Sequence, residues 1–269
     1  MTIGLLTQRC ISFGVPFELA ADSDGVLAKM LESAPLGTQC GVAHTGEAQQ
    51  FAVLRLGGST GYRLVLNDEV AAESAELKPV LDQFARYLMV HVANHAPDRV
   101  FVHGGVVGWR GHALVLPGTS FAGKTTLVAE LVRSGATYYS DEYAVLDEQG
   151  RVHPYPRDLQ MRQAGSPVQR SVAVEHLNGA AGTAPLPVSC IAFTEYVRSG
   201  RWNPEPVSAG MAVLEMLRHS IPVQRTPGRV MATLAKMMET ATAVRSERGE
   251  ASEMVRSLLG AMSGSGSSV

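Results

Sequence analysis

The residues best suited to chemistry lie in the segment 112–142, HALVLPGTSFAGKTTLVAELVRSGATYYSDE. Within it, Gly118, Gly123, Lys124 and Thr125 match G-x-x-x-x-G-K-[ST], a pattern typical of loops that bind nucleotide phosphates. Backbone N–H groups of such a loop wrap the anion, and the helix that follows adds the positive end of its dipole. The lysine ammonium reaches the outer phosphates, and the threonine hydroxyl binds a bridging Mg²⁺. The sequence therefore predicts a site for ATP and Mg²⁺.

The flanking elements support this prediction. An apolar strand at 113–116 precedes the loop, and an amphipathic helix follows it, with Leu127, Val128, Leu131 and Val132 on its buried face and Gly135 at its end. The residues predicted to contact the nucleotide are Gly118, Thr119, Ser120, Phe121, Ala122, Gly123, Lys124, Thr125 and Thr126.

Two acidic residues, Asp141 and Glu142, follow a short β-type run at 137–139. In an open α/β sheet the carboxyl ends of neighbouring strands meet at one crevice. We therefore expect both acids to face the phosphate loop.

These motifs together resemble a known family. His103-Gly104-Gly105-Val106-Val107, the loop, Gly135 and Ser140-Asp141-Glu142 are similar to the catalytic domain of HPr kinase/phosphorylase and of related bacterial serine kinases, including those that modify lasso-peptide precursors. The resemblance covers about residues 99 to 162. It implies an α/β P-loop kinase fold of the type shared with phosphoenolpyruvate carboxykinase, and a ring-like homo-oligomer.

The resemblance also implies roles for individual residues. Asp141 would be the base at the acceptor hydroxyl with His103 beside it, Lys124 would assist transfer, and Glu142 would join Thr125 at the metal. The sequence departs from the family at Phe121, where glycine is usual, at Glu142, where aspartate is usual, and at Thr126, where glutamate is frequent. The last departure favours a one-way kinase over the paired kinase and phosphorylase activities.

Composition limits the other function classes. The chain has 269 residues, is 45% hydrophobic and 18% charged, and carries a formal net charge of −2 without a long basic run. This predicts no binding to nucleic acid or to an anionic membrane surface. No run approaches the ~18 apolar residues of a membrane span, so a cytoplasmic protein is expected. Cys10, Cys40 and Cys190 lack C-x-x-C spacing and are predicted to be buried thiols rather than disulfide or zinc ligands.

The pattern along the chain predicts a smaller N-terminal α+β domain at 1–97, a catalytic domain at 98–262 and a flexible tail at 263–269. In the first domain we expect a strand at 10–19, a helix at 23–31 capped by Ser23, a hairpin of 50–56 with 62–66, and a long helix from Lys78. His91 and His95 lie four apart on that helix. They are interpreted as packing or solvated histidines, because no third ligand is spaced to make a metal site.

In the second domain we expect strands at 99–103 and 105–109, a hairpin of 143–147 with 151–155, and a buried strand at 188–193. Residues 163–187 are interpreted as a loop that covers the site and forms one wall of a peptide groove, or that is simply mobile. Helices are expected at 208–219, 228–240 and 248–259, with the methionines of the first two filling the core. Arg157 and Arg162 are candidate phosphate contacts, and Glu195 is interpreted as solvated.

These observations favour an ATP- and Mg²⁺-dependent kinase that acts on a serine or threonine hydroxyl of a peptide or small protein. Phe121 and Glu142 leave open a nucleotide-binding switch or scaffold that transfers nothing. An ATPase that uses water is the third alternative.

Overall fold

A computed structural model describes residues 4–42, 48–57, 60–118, 123–162 and 169–264. The chain is of the mixed α/β class and divides into two compact units, Met1–Asp98 and Arg99–Val269. Each unit has its own sheet.

The first unit is a six-stranded sheet. Its strands are β1 (Leu6–Ser12), β2 (Val15–Ala21), β3 (Gln39–Cys40), β4 (Gln49–Arg55), β5 (Tyr62–Leu66) and β6 (Glu69–Ser74), in the spatial order β3-β1-β2-β4-β5-β6. Two helices, α1 (Asp24–Glu32) and α2 (Leu77–His95), pack on it. Apolar residues at helical spacing in α2, among them Phe84 and Leu88, are fully buried, and Phe84 meets Phe51 of β4 edge to face at 5.8 Å.

Several predictions for this unit are confirmed. Ser23 is the N-cap of α1, β4 pairs with β5 in antiparallel fashion, and α2 ends immediately before Ala96 and Pro97. His91 packs its ring against Phe51, with 5.9 Å between ring centroids. Residues 58 and 59 of the predicted hairpin loop lie outside the described residues.

The single strand predicted at 10–19 is wrong, because the chain reverses at Phe13-Gly14 and forms an antiparallel pair of strands there. Both turn residues have positive φ, 47° and 76°. A glycine adopts this conformation without cost, and a two-residue turn with positive φ at both positions is the usual hairpin connection. The alternating pattern on either side of Gly14 hid the turn.

The prediction that all three cysteines are thiols is also wrong. Cys10 of β1 and Cys40 of β3 lie directly opposite each other and form a disulfide across 30 residues, while Cys190 is a buried free thiol. The sequence did not indicate this pair, because β3 is only two residues long and is therefore too short to show the alternation by which a strand is recognised.

The second unit contains most of the chemistry predicted above. Its strands are β7 (Val100–Trp109), β8 (His112–Pro117), β9 (Thr137–Ser140), β10 (Tyr143–Leu146), β11 (Arg151–His153), β12 (Leu159–Arg162), β13 (Gln169–Val172), β14 (Leu186–Tyr196), β15 (Glu205–Val207) and β16 (Thr242–Arg248). The main sheet runs β11-β10-β7-β8-β14-β16-β15, with β9 also paired to β7, and β12 and β13 form a separate hairpin. The central strands β8, β14 and β16 are parallel, so their carboxyl ends lie on one edge.

Four helices cover this sheet: α3 (Lys124–Arg133), α4 (Ala209–Arg218), α5 (Pro227–Met237) and α6 (Ala251–Gly264). Alternate residues of the central strands contribute to two separate cores. One core contains the buried faces of α3 and α6, and the other contains those of α4 and α5. Helices α3 and α4 therefore lie on opposite faces of the sheet.

The predicted strand at 188–193, the hairpin of β10 with β11 and the buried face of α3 are confirmed. The predicted loop at 163–187 is wrong in part, because β13 and a 3₁₀ turn at Val174–Leu177 lie within it, and residues 163–168 lie outside the described residues. The helix predicted at 248–259 begins only at Ala251, since Arg248 ends a parallel strand. That last helix extends to 264, and 265–269 are not described.

The prediction for the methionines holds only for part of the set. Met216 and Met237 are fully buried, whereas Met211 and Met231 are more than half exposed. None of the helices in the described ranges is long and apolar enough to cross a membrane.

Candidate functional site

The predicted phosphate loop connects the end of a central strand to the start of a helix. Strand β8 ends at Pro117, and α3 begins at Lys124 with Gly123 as its N-cap. Gly123 has a φ of 71°, which favours glycine, and a Cβ there would overlap the guanidinium of Arg248. Of the nine predicted contact residues, Thr119, Ser120, Phe121 and Ala122 lie outside the described residues.

The glycine pair of β7 allows the helix to pack closely on the sheet. A Cβ on Gly105 would approach a methyl group of Val128 to 2.6 Å, and one on Gly104 would approach the carbonyl oxygen of Leu116 to 2.9 Å. Side chains at these two positions would push α3 and β8 away from β7. The His-Gly-Gly sequence thus has a packing function in addition to any chemical one.

Asp141 lies just beyond β9, where a turn holds the chain. The buried Ser140 hydroxyl accepts N–H bonds from residues 142 and 143, which fixes this turn. The Asp141 carboxylate accepts hydrogen bonds from the Tyr138 hydroxyl at 3.0 Å, the Thr125 hydroxyl and the Gln160 backbone N–H. Burial nevertheless raises the pKa of Asp141 above its usual range. The predicted base and the predicted metal ligand Thr125 are therefore in direct contact.

Lys124 is 8% exposed, which is unusual for a lysine. Burial lowers its pKa to about 8, and the nearby Asp141 carboxylate acts in the opposite direction. A buried ammonium at the first residue of α3 is placed to meet an anion bound at the helix N-terminus.

His103 is tied by its backbone to several parts of the site. Its N–H donates to the carbonyl of His219 at 2.7 Å, and its carbonyl accepts from the N–H of Gly118 at 3.2 Å. The adjacent Gly104 N–H donates to the Glu142 carbonyl at 3.0 Å. These three bonds hold the end of α4, the entrance to the loop and the acidic turn together.

The His103 side chain is a neutral imidazole at physiological pH. Burial lowers its pKa to about 4, and the charges of Lys124 and His219 add to this effect. The Nδ1 atom is buried and has no hydrogen-bond partner among the described residues. The His103 side chain thus lies beside the predicted phosphate site. The charge of Lys124 acts on His103, and Lys124 also interacts with Asp141.

Glu142 is oriented differently from Asp141. Its carboxylate forms an ion pair with Arg157 at 3.5 Å, and the Arg157 carbonyl accepts from the Tyr138 hydroxyl at 2.7 Å. Arg157, one of the two arginines weighed from sequence, thus joins the site through Glu142. Arg162 ends β12, and the exposed Glu195 lies at the end of β14.

Arg248 is a site residue that the sequence did not indicate. Its side chain is almost fully buried, and it donates to the carbonyl oxygens of Gly123 at 3.1 Å and Gly249 at 3.3 Å. Its guanidinium also lies over the ring of Tyr196, 5.3 Å from the centroid. It therefore fixes the last residue of the loop to the end of β16. A contact across 125 residues leaves no local signal, and an arginine before a glycine was read as a helix start.

The oxygen ligands near α3 fit a magnesium ion. Among the described residues, no three His, Cys, Asp or Glu side chains form a cluster that could hold a metal. Magnesium, however, is usually held by one or two protein oxygens together with substrate phosphates and waters. The Thr125 hydroxyl, in the first turn of α3, supplies one such oxygen. Glu142 is less well placed, because its carboxylate pairs with Arg157.

Comparison of the sequence with family models and with curated proteins gave no match.

Proposed function

We propose that this protein is an ATP- and Mg²⁺-dependent kinase that phosphorylates a serine or threonine hydroxyl on a peptide or small protein. The observation that carries the proposal is the proximity of Asp141 to Lys124 and Thr125 at the start of α3, because a cation, a metal-binding hydroxyl and a base are the groups that phosphoryl transfer uses. The resemblance of residues 99–162 to HPr-kinase-like serine kinases adds support for the reaction and for a polypeptide acceptor. It is also the basis for expecting a homo-oligomer in the cytoplasm.

Asp141 is the base in this proposal. The acceptor oxygen attacks the γ-phosphorus, the bond from phosphorus to the β–γ bridging oxygen breaks, and ADP leaves. The hydroxyl proton passes to the Asp141 carboxylate. Burial raises the pKa of Asp141, which makes the carboxylate a better proton acceptor than a solvated aspartate, while Tyr138 fixes its orientation.

Lys124 stabilises the charge on the outer phosphates. Its ammonium is partly stripped of water, so its attraction for phosphate oxygens is stronger than that of a surface lysine. The neutral imidazole of His103 adds a polar group that does not attract a competing anion. Thr125 would hold the magnesium, which when bound neutralises phosphate charge.

Labelled-phosphate transfer from Mg-ATP tests the proposal, with the polypeptides encoded by neighbouring genes as acceptors and mass spectrometry to map the products. Phosphate on a serine or threonine supports a kinase. Release of inorganic phosphate alone indicates an ATPase, and nucleotide binding without turnover indicates a switch or scaffold. Phosphate found only on a small metabolite would contradict the polypeptide acceptor.

Nucleotide binding is tested separately with Lys124→Ala. We expect Mg-ATP affinity to fall by about 2 kcal/mol, roughly 30-fold, because a charge-assisted contact to the outer phosphates is lost. Titration calorimetry measures the loss. Lys236→Ala is the matched control, because that lysine is exposed and forms an ion pair with Glu239 at the surface. Equal affinities of Lys124→Ala and wild type would contradict the assignment of the loop.

A further inference from the structure

The side chain of Arg248 extends from the end of β16 to the start of α3. It is 2% exposed, and its guanidinium donates a hydrogen bond at 3.1 Å to the carbonyl oxygen of Gly123, the N-cap of α3. Burial lowers the pKa of Arg248, but an arginine keeps its positive charge at physiological pH. A buried cation is therefore bonded to the last residue of the phosphate loop.

The end of the sheet holds Arg248 in place. Its carbonyl accepts the N–H of Val197 at 2.9 Å, and Tyr196, its register partner on β14, places its ring centroid 5.3 Å from the guanidinium. The Tyr196 hydroxyl in turn donates to the Glu250 carboxylate at 2.8 Å. The guanidinium also donates to the carbonyl of Gly249 at 3.3 Å. These contacts restrict the guanidinium, so they also restrict the peptide group to which it is bound.

That peptide group joins Gly123 to Lys124, and its orientation matters for an anion. The Gly123 carbonyl accepts from Arg248 and from the N–H of Leu127 at 3.2 Å, so it points along α3 and toward the guanidinium. In a trans peptide the C=O and N–H bonds point in opposite directions. The N–H of Lys124 therefore points out of the helix N-terminus, where a helix has no acceptor of its own. A phosphate bound at the start of a helix approaches from that direction.

The charge of Arg248 also favours an anion at this position. A cation near the N-terminus of a helix opposes the helix dipole, and a bound phosphate compensates both. In addition, a hydrogen bond from a cation to a carbonyl polarises the peptide group, which makes its N–H a stronger donor. Both effects make binding of a phosphate to the N–H of Lys124 more favourable.

We infer that Arg248 is a positioning residue of the phosphate site, and that through the carbonyl of Gly123 it directs the N–H of Lys124 at the bound phosphates. The inference rests on the proposed function, because it concerns the ATP site of that proposal. It adds a residue 125 positions from Gly123, which acts through this glycine rather than by contact with the nucleotide.

The test follows the Lys124 amide by NMR in the full chain labelled with isotopic lysine. The chain has four lysines, Lys29, Lys78, Lys124 and Lys236, and the Lys124 signal is identified by its loss in Lys124→Arg. Mg-ADP is the probe, because the proposed reaction does not consume it. We expect Mg-ADP to move the Lys124 amide proton of wild type downfield, as a hydrogen bond to phosphate does.

Arg248→Met removes the charge and the carbonyl contacts and keeps most of the length of the side chain. It should weaken Mg-ADP binding by about tenfold in titration calorimetry, because a charged hydrogen bond is lost. It should also reduce the movement of the Lys124 amide at saturation. Arg248→Lys keeps the charge without the guanidinium fork, so both effects should lie between those of wild type and Arg248→Met.

Tyr196→Leu keeps the inference testable if Arg248→Met does not fold. The variant leaves the charge of Arg248 in place and removes the ring beneath it. Affinity for Mg-ADP should fall by about threefold, because the guanidinium is then held less firmly. The movement of the Lys124 amide at saturation should be smaller than in wild type.

Arg245→Met is the matched control. Arg245 also lies on β16 and has an aromatic ring, that of Phe193, at 5.8 Å and a carboxylate, that of Glu215, at 3.5 Å. Side chains alternate along a strand, so Arg245 lies on the face opposite Arg248. Mg-ADP affinity and the Lys124 amide should be the same in this variant as in wild type.

The outcomes separate this inference from the proposed function. Absence of Mg-ADP binding by wild type, or binding without movement of the Lys124 amide, overturns the phosphate site and the role of Arg248 together. Equal movement of the amide in wild type and Arg248→Met at saturation overturns the role of Arg248 and leaves the phosphate site intact. A lower free energy of unfolding in that variant would then mean that Arg248 only joins β16 to α3. The expected effects of Arg248 without phosphate transfer to any polypeptide support the inference and overturn the kinase.

Discussion

Two aspartates, Asp141 and Asp147, lie six residues apart at the two ends of β10, and their pKa values shift in opposite directions. Asp147 is 3% exposed and accepts hydrogen bonds from Arg151 Nε at 3.0 Å and His153 Nε2 at 2.9 Å. Burial alone would raise the pKa of Asp147, but the bonds from His153 and Arg151 outweigh it, and the pKa falls. At Asp141 burial prevails over the hydrogen bonds from Tyr138 and Thr125, and the pKa rises.

The difference shows that the partners of a carboxylate, together with its burial, decide whether its pKa rises or falls. Asp147 has an arginine partner that stays charged and backbone N–H groups that close the turn at 149–151, so it stabilises a hairpin. Asp141 has neutral hydroxyl partners and a lysine whose own pKa is lowered to about 8. Its charge is poorly compensated, which suits a group that must accept a proton.

The largest effect that follows is on catalysis. Asp141→Asn keeps the shape of the side chain and removes its ability to accept a proton, so phosphoryl transfer should fall by about 10² to 10⁴, the usual contribution of a positioned base. Mg-ATP affinity should change little. The measurement is labelled-phosphate transfer at saturating ATP.

Asp147→Asn is the matched control, since it makes the same change at a nearby aspartate that stabilises a hairpin, and its transfer rate should stay within a few-fold of wild type. Glu142→Gln tests the order of the two neighbouring acids. Loss of transfer in Glu142→Gln with full transfer in Asp141→Asn would show that the base is Glu142.

The sequence predicts some elements of the fold well and others poorly, and the difference depends on their length and on where their partners lie. The elements with a strong period and clear ends, such as α2, α3 and β14, lie where the pattern places them. The elements that were missed are short or depend on pairing at a distance. The turn at Phe13-Gly14 interrupts an alternating pattern without changing it, and β13 is four residues long and pairs with β12.

The residues of the candidate site also differ in how well the sequence predicts them. Gly123, Lys124 and Thr125 belong to one local motif, so their grouping at a helix start is predictable from spacing. Arg248 reaches Gly123 from the end of another strand, and His219 reaches His103 from the end of α4. Such contacts arise from the order of strands in the sheet, which local pattern does not encode.

A second, smaller effect concerns stability, and the two aspartates should give opposite signs. A raised folded pKa means that folding disfavours the ionised form, so the Asp141 contribution is lost as pH rises through that pKa. Asp141→Asn should therefore raise the free energy of unfolding at pH 7.

A lowered folded pKa means that the stabilising contribution of Asp147 is present above the pKa of the unfolded state and is lost as pH falls through the pKa of the folded state. Asp147→Asn should lower the free energy of unfolding at pH 7 by about 1 to 3 kcal/mol.

Denaturant titration followed by tryptophan fluorescence measures both, because Trp109 and Trp202 are the two tryptophans of the chain and both lie in the second unit. The gain from Asp141→Asn should shrink as pH is lowered through the raised pKa of Asp141, since the wild-type carboxylate then takes up its proton. A loss of stability in Asp141→Asn at pH 7 would mean that the carboxylate is adequately compensated, and the contrast between the two acids would disappear.

The smallest effect is a proton taken up when the nucleotide binds, and it tests the cation beside Asp141 directly. With a pKa of about 8, Lys124 is half neutral at pH 8 in the free protein. Bound phosphates favour its charged form and raise this pKa, so Mg-ATP binding at pH 8 should take up about half a proton, falling toward zero by pH 6.5. Calorimetry in buffers with different ionisation enthalpies measures the uptake.

Lys124→Arg keeps a positive charge that does not titrate in this range, so it should bind Mg-ATP without proton uptake at pH 8. The other titratable groups near the ammonium include Asp141, His103 and His219, and all three are retained in Lys124→Arg, so proton uptake by any of them would appear in both proteins. Equal uptake in wild type and Lys124→Arg would assign the proton to another group and would leave Asp141 beside a fully charged lysine, as Asp147 is beside a fully charged arginine.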